Sequence, residues 1–245
     1  MSSLFISDLH LHASRPEATQ VFYDLLEGKA RNAQALYILG DFFDVWIGDD
    51  DDEPLGQAVA DQLRRLSDSG TAVYLMHGNR DFLLGEAFAK RAGATLLQDP
   101  SVIDLYGRRA LLLHGDSLCT RDAEYMGLRQ QLRSNEWQAQ ILAQPLAARR
   151  AFAAGLRAKS KTMNSSKPED IMDVTPEAVV ELMLEHQVDL MIHGHTHRPD
   201  RHSIALGSGQ GERIVLGDWH DHAWCLSADK QSLRLESWPI GQPAH

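Results

Sequence analysis

Ile192-His193-Gly194-His195-Thr196-His197 closes an apolar run that begins at Val188. A short apolar run bounded by glycine reads as a buried strand that opens into a loop. Side chains two apart on a strand share a face, so this spacing predicts that His195 and His197 project toward one point. Two imidazoles aimed at one point suggest a metal. One such pair decides little by itself; its weight depends on whether other strand ends carry matching donors.

Four other apolar runs end in the same way. Leu4-Phe5-Ile6 leads into Asp8 and His10, and Ala35–Leu39 into Gly40-Asp41-Phe42-Phe43-Asp44. Ala72–Met76 leads into His77-Gly78-Asn79-Arg80-Asp81, and Ala110–Leu113 into His114-Gly115-Asp116. Helices are predicted over about 16–27, 55–67 and 85–92, with Pro16 tolerated in a first turn and Gly28 and Gly70 as stops. Strands are predicted near 95–98 and 102–106, with a hairpin turn at Tyr106-Gly107-Arg108-Arg109. Thr175-Pro176-Glu177 opens a further helix, with Thr175 as N-cap, that runs to about His186. After the 188–192 strand come strands near 202–206, 213–217, 222–228 and 232–238, with Gly207–Gly211 as a hairpin loop. Strand–helix alternation followed by a run of strands predicts one α/β domain of two packed sheets flanked by helices.

Residues 120–167 break that alternation. They carry nine Lys/Arg against three acids, a net +6 in a chain of −10. Trp137, Ile141, Leu142, Leu146, Phe152 and Leu156 are their apolar positions, and Pro145 is a break. The segment, about 120–170, reads as an inserted helical cap. A helical pair packing on the core would explain its pattern; its charge further suggests an anionic ligand or surface. The acidic run Asp49 to Glu53 reads as a solvated loop.

Composition bounds the function. Hydrophobic content of 43% and charged content of 24% are those of a globular protein, and a net charge of −10 argues against nucleic acid as a partner. No run approaches the roughly 18 apolar residues of a membrane span. The start, Met1 to Ile6, lacks the basic region of a signal peptide, so any membrane contact is expected to be peripheral. Cys119 and Cys225 read as free thiols of a reducing compartment. Nothing demands a dimer, and a monomer is expected.

The strand-end donors are Asp8, His10, Asp41, Asn79, His114, His195 and His197. All offer oxygen or imidazole nitrogen, which suits Mn, Fe, Co, Zn or Mg rather than Cu(I) or an iron–sulfur cluster. Seven ligands exceed one ion and suit two that share Asp41, about 3.5–4 Å apart. Asp44, Asp81 and Asp116 are expected behind them, orienting imidazoles or loops.

D-x-H, G-D-x-x-D, G-N, H-G and G-H-x-H, in this order across the whole chain, resemble the calcineurin-like metallophosphoesterases. The resemblance implies a four-layer αββα sandwich. It implies one ion held by Asp8, His10, Asp41 and His197, a second held by Asp41, Asn79, His114 and His195, and a hydroxide between them that attacks phosphorus. Many of these enzymes read G-N-H, the histidine assisting the leaving group. Here Arg80 follows Asn79, and arginine cannot give up a proton near neutral pH, although it can clamp phosphate. That departure favours diphosphate cleavage, in which the leaving group is already a stable anion.

Asp41-Phe42-Phe43-Asp44-Val45-Trp46-Ile47-Gly48-Asp49, Gly78-Asn79-Arg80-Asp81-Phe82, His114-Gly115-Asp116 and the stretch from Lys159-Ser160-Lys161 to Val174 further resemble bacterial diphosphatases of lipid A synthesis. This narrower resemblance implies a lipid-linked UDP-sugar as substrate, hydrolysed at its α-phosphorus, with two divalent ions, most plausibly Mn2+. It implies catalytic roles for Asp41, Asn79, Arg80 and His195. It implies substrate contacts at Asn79, Arg80, Asp122, Ser160, Asn164, Lys167 and His195, and a place on the cytoplasmic face of the bacterial inner membrane. A soluble nucleotide-diphosphate substrate and a non-catalytic metal-binding scaffold are the competing readings.

Overall fold

A computed structural model describes residues 2–164, 171, 173–207 and 209–241. The chain forms two sheets. Strands β1 (Ser3–Ile6), β2 (Ala35–Leu39), β3 (Ala72–Met76) and β4 (Ala94–Leu97) pair in parallel; β10 (His222–Ala228) and β11 (Leu233–Pro239) extend them in the order β11-β10-β1-β2-β3-β4. The second sheet has the order β5-β6-β7-β9-β8, from β5 (Ser101–Leu105), β6 (Arg108–Leu112), β7 (Leu190–His193), β8 (Asp200–Leu206) and β9 (Gly209–Val215).

Alternation along the first strands explains the layering. Leu4, Ile6, Leu36 and Ile38 face outward onto helices α1 (Pro16–Glu27) and α2 (Pro54–Asp68), where they meet Phe22, Leu25, Val59 and Leu63; Phe88 of α3 (Glu86–Ala92) joins the same core. Phe5, Tyr37 and Leu39 face inward, toward Leu112, Leu190, Ile192 and Ile214 of the other sheet. Phe5, Tyr37 and Tyr74 are register neighbours, and their rings stack at 4.7 Å from strand to strand. The outer face of the second sheet is covered by Val179 and Met183 of α7 (Pro176–Glu185). Each large side chain so buried contributes about 1.5–3 kcal/mol. The result is the four-layer αββα arrangement.

The β8–β9 hairpin and the start of α7 differ from the sequence reading. β8 and β9 register Leu206 with Gly209, so Gly209-Gln210-Gly211 are strand residues and not loop. Gly211 packs under the Leu206 and Met183 side chains, which a Cβ would strike. Thr175 occupies the N-cap position of α7, but its side chain makes no cap; its hydroxyl accepts from that of Thr120 instead.

Residues 123–164 form three helices, α4 (Ala123–Leu132), α5 (Asn135–Leu142) and α6 (Leu146–Asn164). Asp122 and Ser134 cap the first two, accepting from the N–H of Tyr125 and Trp137. Among the described residues, the arginines of 121–157 find acidic partners within the molecule. Arg149 pairs with Asp50, Arg150 with Asp51 and Asp52, Arg157 with Asp44, Arg129 with Asp116 and Asp99, and Arg121 with Glu177. The acidic run is a loop exposed to solvent at Asp50, Asp52 and Glu53, as expected, but it is also tied to the rest of the molecule. Asp49 accepts from the Trp46 indole and the Gly85 and Phe88 N–H groups, while Asp50 to Asp52 bind α6. For the described arginines, the charge asymmetry thus has partners within the molecule.

Candidate active site

β1, β2, β3, β6 and β7 each deliver donors where the backbone leaves the sheet. Strand geometry, however, is not what aims them. β7 ends at His193, and His195 and His197 lie beyond it with φ of 68° and 55°. Asp8, His10 and Asp41 are likewise left-handed, with φ of 55°, 48° and 49°. Each such placement of a non-glycine residue costs roughly 1–2 kcal/mol. Five tight left-handed turns, and not i, i+2 alternation, fold the side chains back over the strand ends.

Main-chain bonds hold these turns. The Asp8 and His10 N–H groups donate to Gly40 and Asp41 carbonyls, and Gly194 N–H to that of His114. Asp81, expected to orient an imidazole or a loop, serves loops: it accepts from Phe42 N–H and Gly78 N–H, both at 2.7 Å. Glycines leave the room. A Cβ at Gly78 would collide with Asp41, one at Gly194 with Asp8, and one at Gly40 with His114.

All seven expected donors come together. Asp8 Oδ1 lies 3.3 Å from His197 Nε2, which is 3.4 Å from His10 Nε2. His114 Nε2 lies 3.7 Å from Asp41 Oδ1, and Asn79 Oδ1 sits 3.0 Å from His114 Nε2 and 2.9 Å from His195 Nδ1. Asp8, His10 and His197 form one cluster of converging donor atoms, and Asp8, Asp41 and His114 another. Asp8 thus touches both clusters, whereas the shared residue was expected to be Asp41 alone; Asp41 Oδ2 stands 3.9 Å from His10 Nδ1.

Several observations fit cations here. Among the described residues, His10 Nδ1 is buried with no hydrogen bond, and the buried Asp8 Oδ1 has His197 Nε2 at 3.3 Å without good hydrogen-bond geometry, a costly state unless something else binds them. Burial pushes His10 down to about 3 and His195 down to about 4, so both rings are neutral with a lone pair to give. Burial raises Asp41 to about 7, opposed by His114 and reinforced by Asp81 and Asp8. Burial also works against a charged His114, yet Asp41, Asp8 and Asp116 carry it up to about 9. A proton is retained where the donors call for positive charge. Burial acts to raise Asp8, but His197, His114 and His10 outweigh it and hold it below the usual carboxylate range.

Arg80 is the cation beside them. Its N–H donates to Asp41 Oδ1 at 2.8 Å, Nη1 donates to Asp44 at 3.0 Å, and Nε lies 3.7 Å from Asp41 Oδ2. Asp44 holds Arg157 on its other oxygen at 2.5 Å, so it orients two guanidiniums and no imidazole. His114 is instead oriented by the Leu39 carbonyl, 2.9 Å from Nδ1. Asp116 accepts from the Tyr125 hydroxyl at 2.7 Å and Arg129 Nε at 2.8 Å, again touching no imidazole. Tyr125, Arg129, Arg133 and Arg157 were missed by the sequence reading as site residues; the first three recur every four residues along α4 and its C-cap, a spacing that marks one helix face.

These groups floor a cavity of about 820 Å³ that extends beneath α4, α5 and α6. Asp41, Asn79, Arg80, His195 and His197 lie at one end; Val45, Trp46, Phe82, Leu83, Leu132, Trp137, Ile141, Phe152 and Leu156 form apolar walls. Asp122 lines it too, while Leu142 is 41% exposed and does not. Ser160 and Asn164 fall at the end of α6, where side chains are not described, and Lys167 lies outside the described residues.

The calcineurin-like phosphoesterase family model matches residues 1–199, and the chain belongs to that family of hydrolases. Relatives narrow the comparison. A protein of Cellvibrio japonicus is 62% identical over 98% of this chain and 100% of its own length; one of Pseudomonas fluorescens is 54% identical over 96% and 94%; one of Marinobacter nauticus is 53% identical over 98% and 99%. All three are named UDP-2,3-diacylglucosamine hydrolase.

Proposed function

We propose that the chain hydrolyses the diphosphate bond of UDP-2,3-diacylglucosamine, releasing UMP and 2,3-diacylglucosamine 1-phosphate, a step of lipid A synthesis. The observation that carries this reading is a cavity of about 820 Å³ that joins the charged donor end to an apolar one. A diphosphate flanked by a nucleoside and a diacylated sugar has the same two-part character. The full-length relatives named for this substrate support it.

Asp8, His10, Asp41 and His197 would hold one divalent ion, and Asp41, Asn79, His114 and His195 a second, with Mn2+ our choice. When bound, such ions supply water activation near neutral pH and neutralise charge on phosphoryl oxygens. The chain's residues supply the rest. The Arg80 guanidinium, 36% exposed at the cavity end and braced by Asp44, is placed to grip phosphoryl oxygens. It donates hydrogen bonds but no proton, and the sugar 1-phosphate needs none to depart. The apolar walls exclude water and seat acyl chains, which makes α4–α6 a cap over the site. Among the described residues no helix is long and apolar enough to cross a membrane. Leu142 and Phe152, exposed by 41% and 38%, suit peripheral contact with the cytoplasmic face of the inner membrane.

Comparing turnover of UDP-2,3-diacylglucosamine, UDP-glucosamine and a cyclic nucleotide tests this. Strong preference for the acylated substrate is expected; equal turnover of all three would overturn it.

A further inference from the structure

Helix α4 presents Tyr125 and Arg129 on one face, and Arg133, its C-cap residue, follows at the same spacing. All three approach the same carboxylate oxygen, Oδ2 of the fully buried Asp116, at 2.7, 2.8 and 3.6 Å. Arg133 does more than neutralise Asp116. Its Nη2 donates to the Gly78 carbonyl at 3.0 Å and reaches that of His77 at 3.5 Å. Among the described residues no main-chain N–H donates to the Gly78 carbonyl.

That carbonyl belongs to the peptide plane joining Gly78 to Asn79. The plane is rigid, so fixing its oxygen fixes the direction in which the Asn79 backbone continues. Gly78 is clamped from the other side as well: its N–H donates to Asp81 at 2.7 Å, and it packs so closely on Asp41 that a Cβ would collide there. Asn79 is the residue whose Oδ1 stands between His114 and His195, at 3.0 and 2.9 Å.

We infer that Arg133 is a positioning residue for Asn79: by holding the Gly78 carbonyl it sets the aim of Asn79 Oδ1 and so the donor geometry of the Asn79–His114–His195 locus. Arg129 is the internal contrast. It is as buried as Arg133, at 20% against 18% side-chain exposure, and shares Asp116, yet its other bond goes to Asp99 and not to the Asn79 loop. A purely structural role would make the two arginines equivalent; a positioning role would not.

The inference rests on the metal-dependent reading of this site, but its main measurement needs no UDP-sugar. Metal-stripped full-length chain is titrated with Mn2+, free Mn2+ being read by its electron paramagnetic resonance signal. Arg133→Met is expected to weaken one class of bound Mn2+ by about tenfold or more, in the range of lost supporting contacts. Arg129→Met, with a similar fall in Tm, is expected to leave Mn2+ affinity within about twofold. Turnover of UDP-2,3-diacylglucosamine should fall for Arg133→Met in kcat with KM little changed, and Arg133→Lys should recover part of it. Should Arg133→Met fail to fold, Arg133→Lys carries the same test with a smaller loss of Mn2+ affinity. Equal Mn2+ affinities in wild type and the Arg133 variants, or equal losses in the Arg129 and Arg133 variants, would overturn the inference. Failure of wild type on the UDP-lipid with the Mn2+ result intact would instead count against the substrate.

Discussion

The strand-end loops and the helices above them are built by different means. In the loops, donors are placed by backbone: left-handed turns, main-chain bonds and glycines without room for a methyl group. In α4 to α6, position is set by long side chains that cross to the other region, Arg149 to Asp50 and Ile47, Arg157 to Asp44 and Arg129 to Asp116. Backbone placement tolerates little displacement and suits the reacting atoms. Side-chain bridges yield more readily and suit a cavity that must admit and release a large amphipathic molecule.

That difference can be broken, the largest effect first. Asp41→Ala, or chelation by EDTA, is expected to lower kcat for UDP-2,3-diacylglucosamine by roughly 10³-fold with circular dichroism unchanged, and Mn2+ should reverse the chelation only. Activity of Asp41→Ala within tenfold of wild type would show that the loops do not carry the chemistry. Arg80→Ala should cost about 10²-fold in kcat, and Arg80→Lys should rescue little because a point charge cannot fork across two oxygens. Full rescue by lysine would reduce Arg80 to a charge.

Arg149→Met probes the other region. Arg149 is 3% exposed and donates to Asp50, Ile47 and Gln144, so its loss should destabilise by about 2 kcal/mol and raise KM for the lipid substrate. Mn2+ affinity should not change; if it does, the two regions are not separable in this way. A subtler contrast uses alkali. Burial pushes the Cys225 thiol up to about 12, so its unfolded form loses a proton first. The stability tied to this group is complete below the ordinary thiol range and is lost as pH rises toward 12. Between about pH 9 and 10 the loss should be about 1 kcal/mol, and Cys225→Ala should flatten that slope in chemical denaturation. Smallest is salt. Arg150 with Asp51 and Asp52 is a largely exposed group, so raising salt from about 0.05 to about 0.5 M should change stability by less than about 1 kcal/mol.

The donor set was legible because each strand is a continuous apolar run, and such runs locate their own polar ends. The reason those ends converge was not. The i, i+2 rule named His195 and His197 as a pair, while their left-handed backbone, which no residue type announces, does the aiming. The acidic run was read only in part, for a different reason. Asp50 and Arg149 are 99 residues apart, and a local reading sees each as a solvated charge. Asp116 was expected to orient an imidazole or a loop, but its partners are a tyrosine and arginines of α4 and its C-cap, brought there only by tertiary packing.

The glycines of the strand-end loops have a consequence for how such a site can change over generations. Gly40 precedes Asp41 but abuts His114; Gly78 precedes Asn79 but abuts Asp41; Gly194 precedes His195 but abuts Asp8. Each is next to one donor along the chain and against another in space. Substituting any one is expected to displace two donors from different strands. A methyl group added at any of these glycines is therefore expected to disturb two strand ends at once, so the site changes in coupled steps and not one loop at a time.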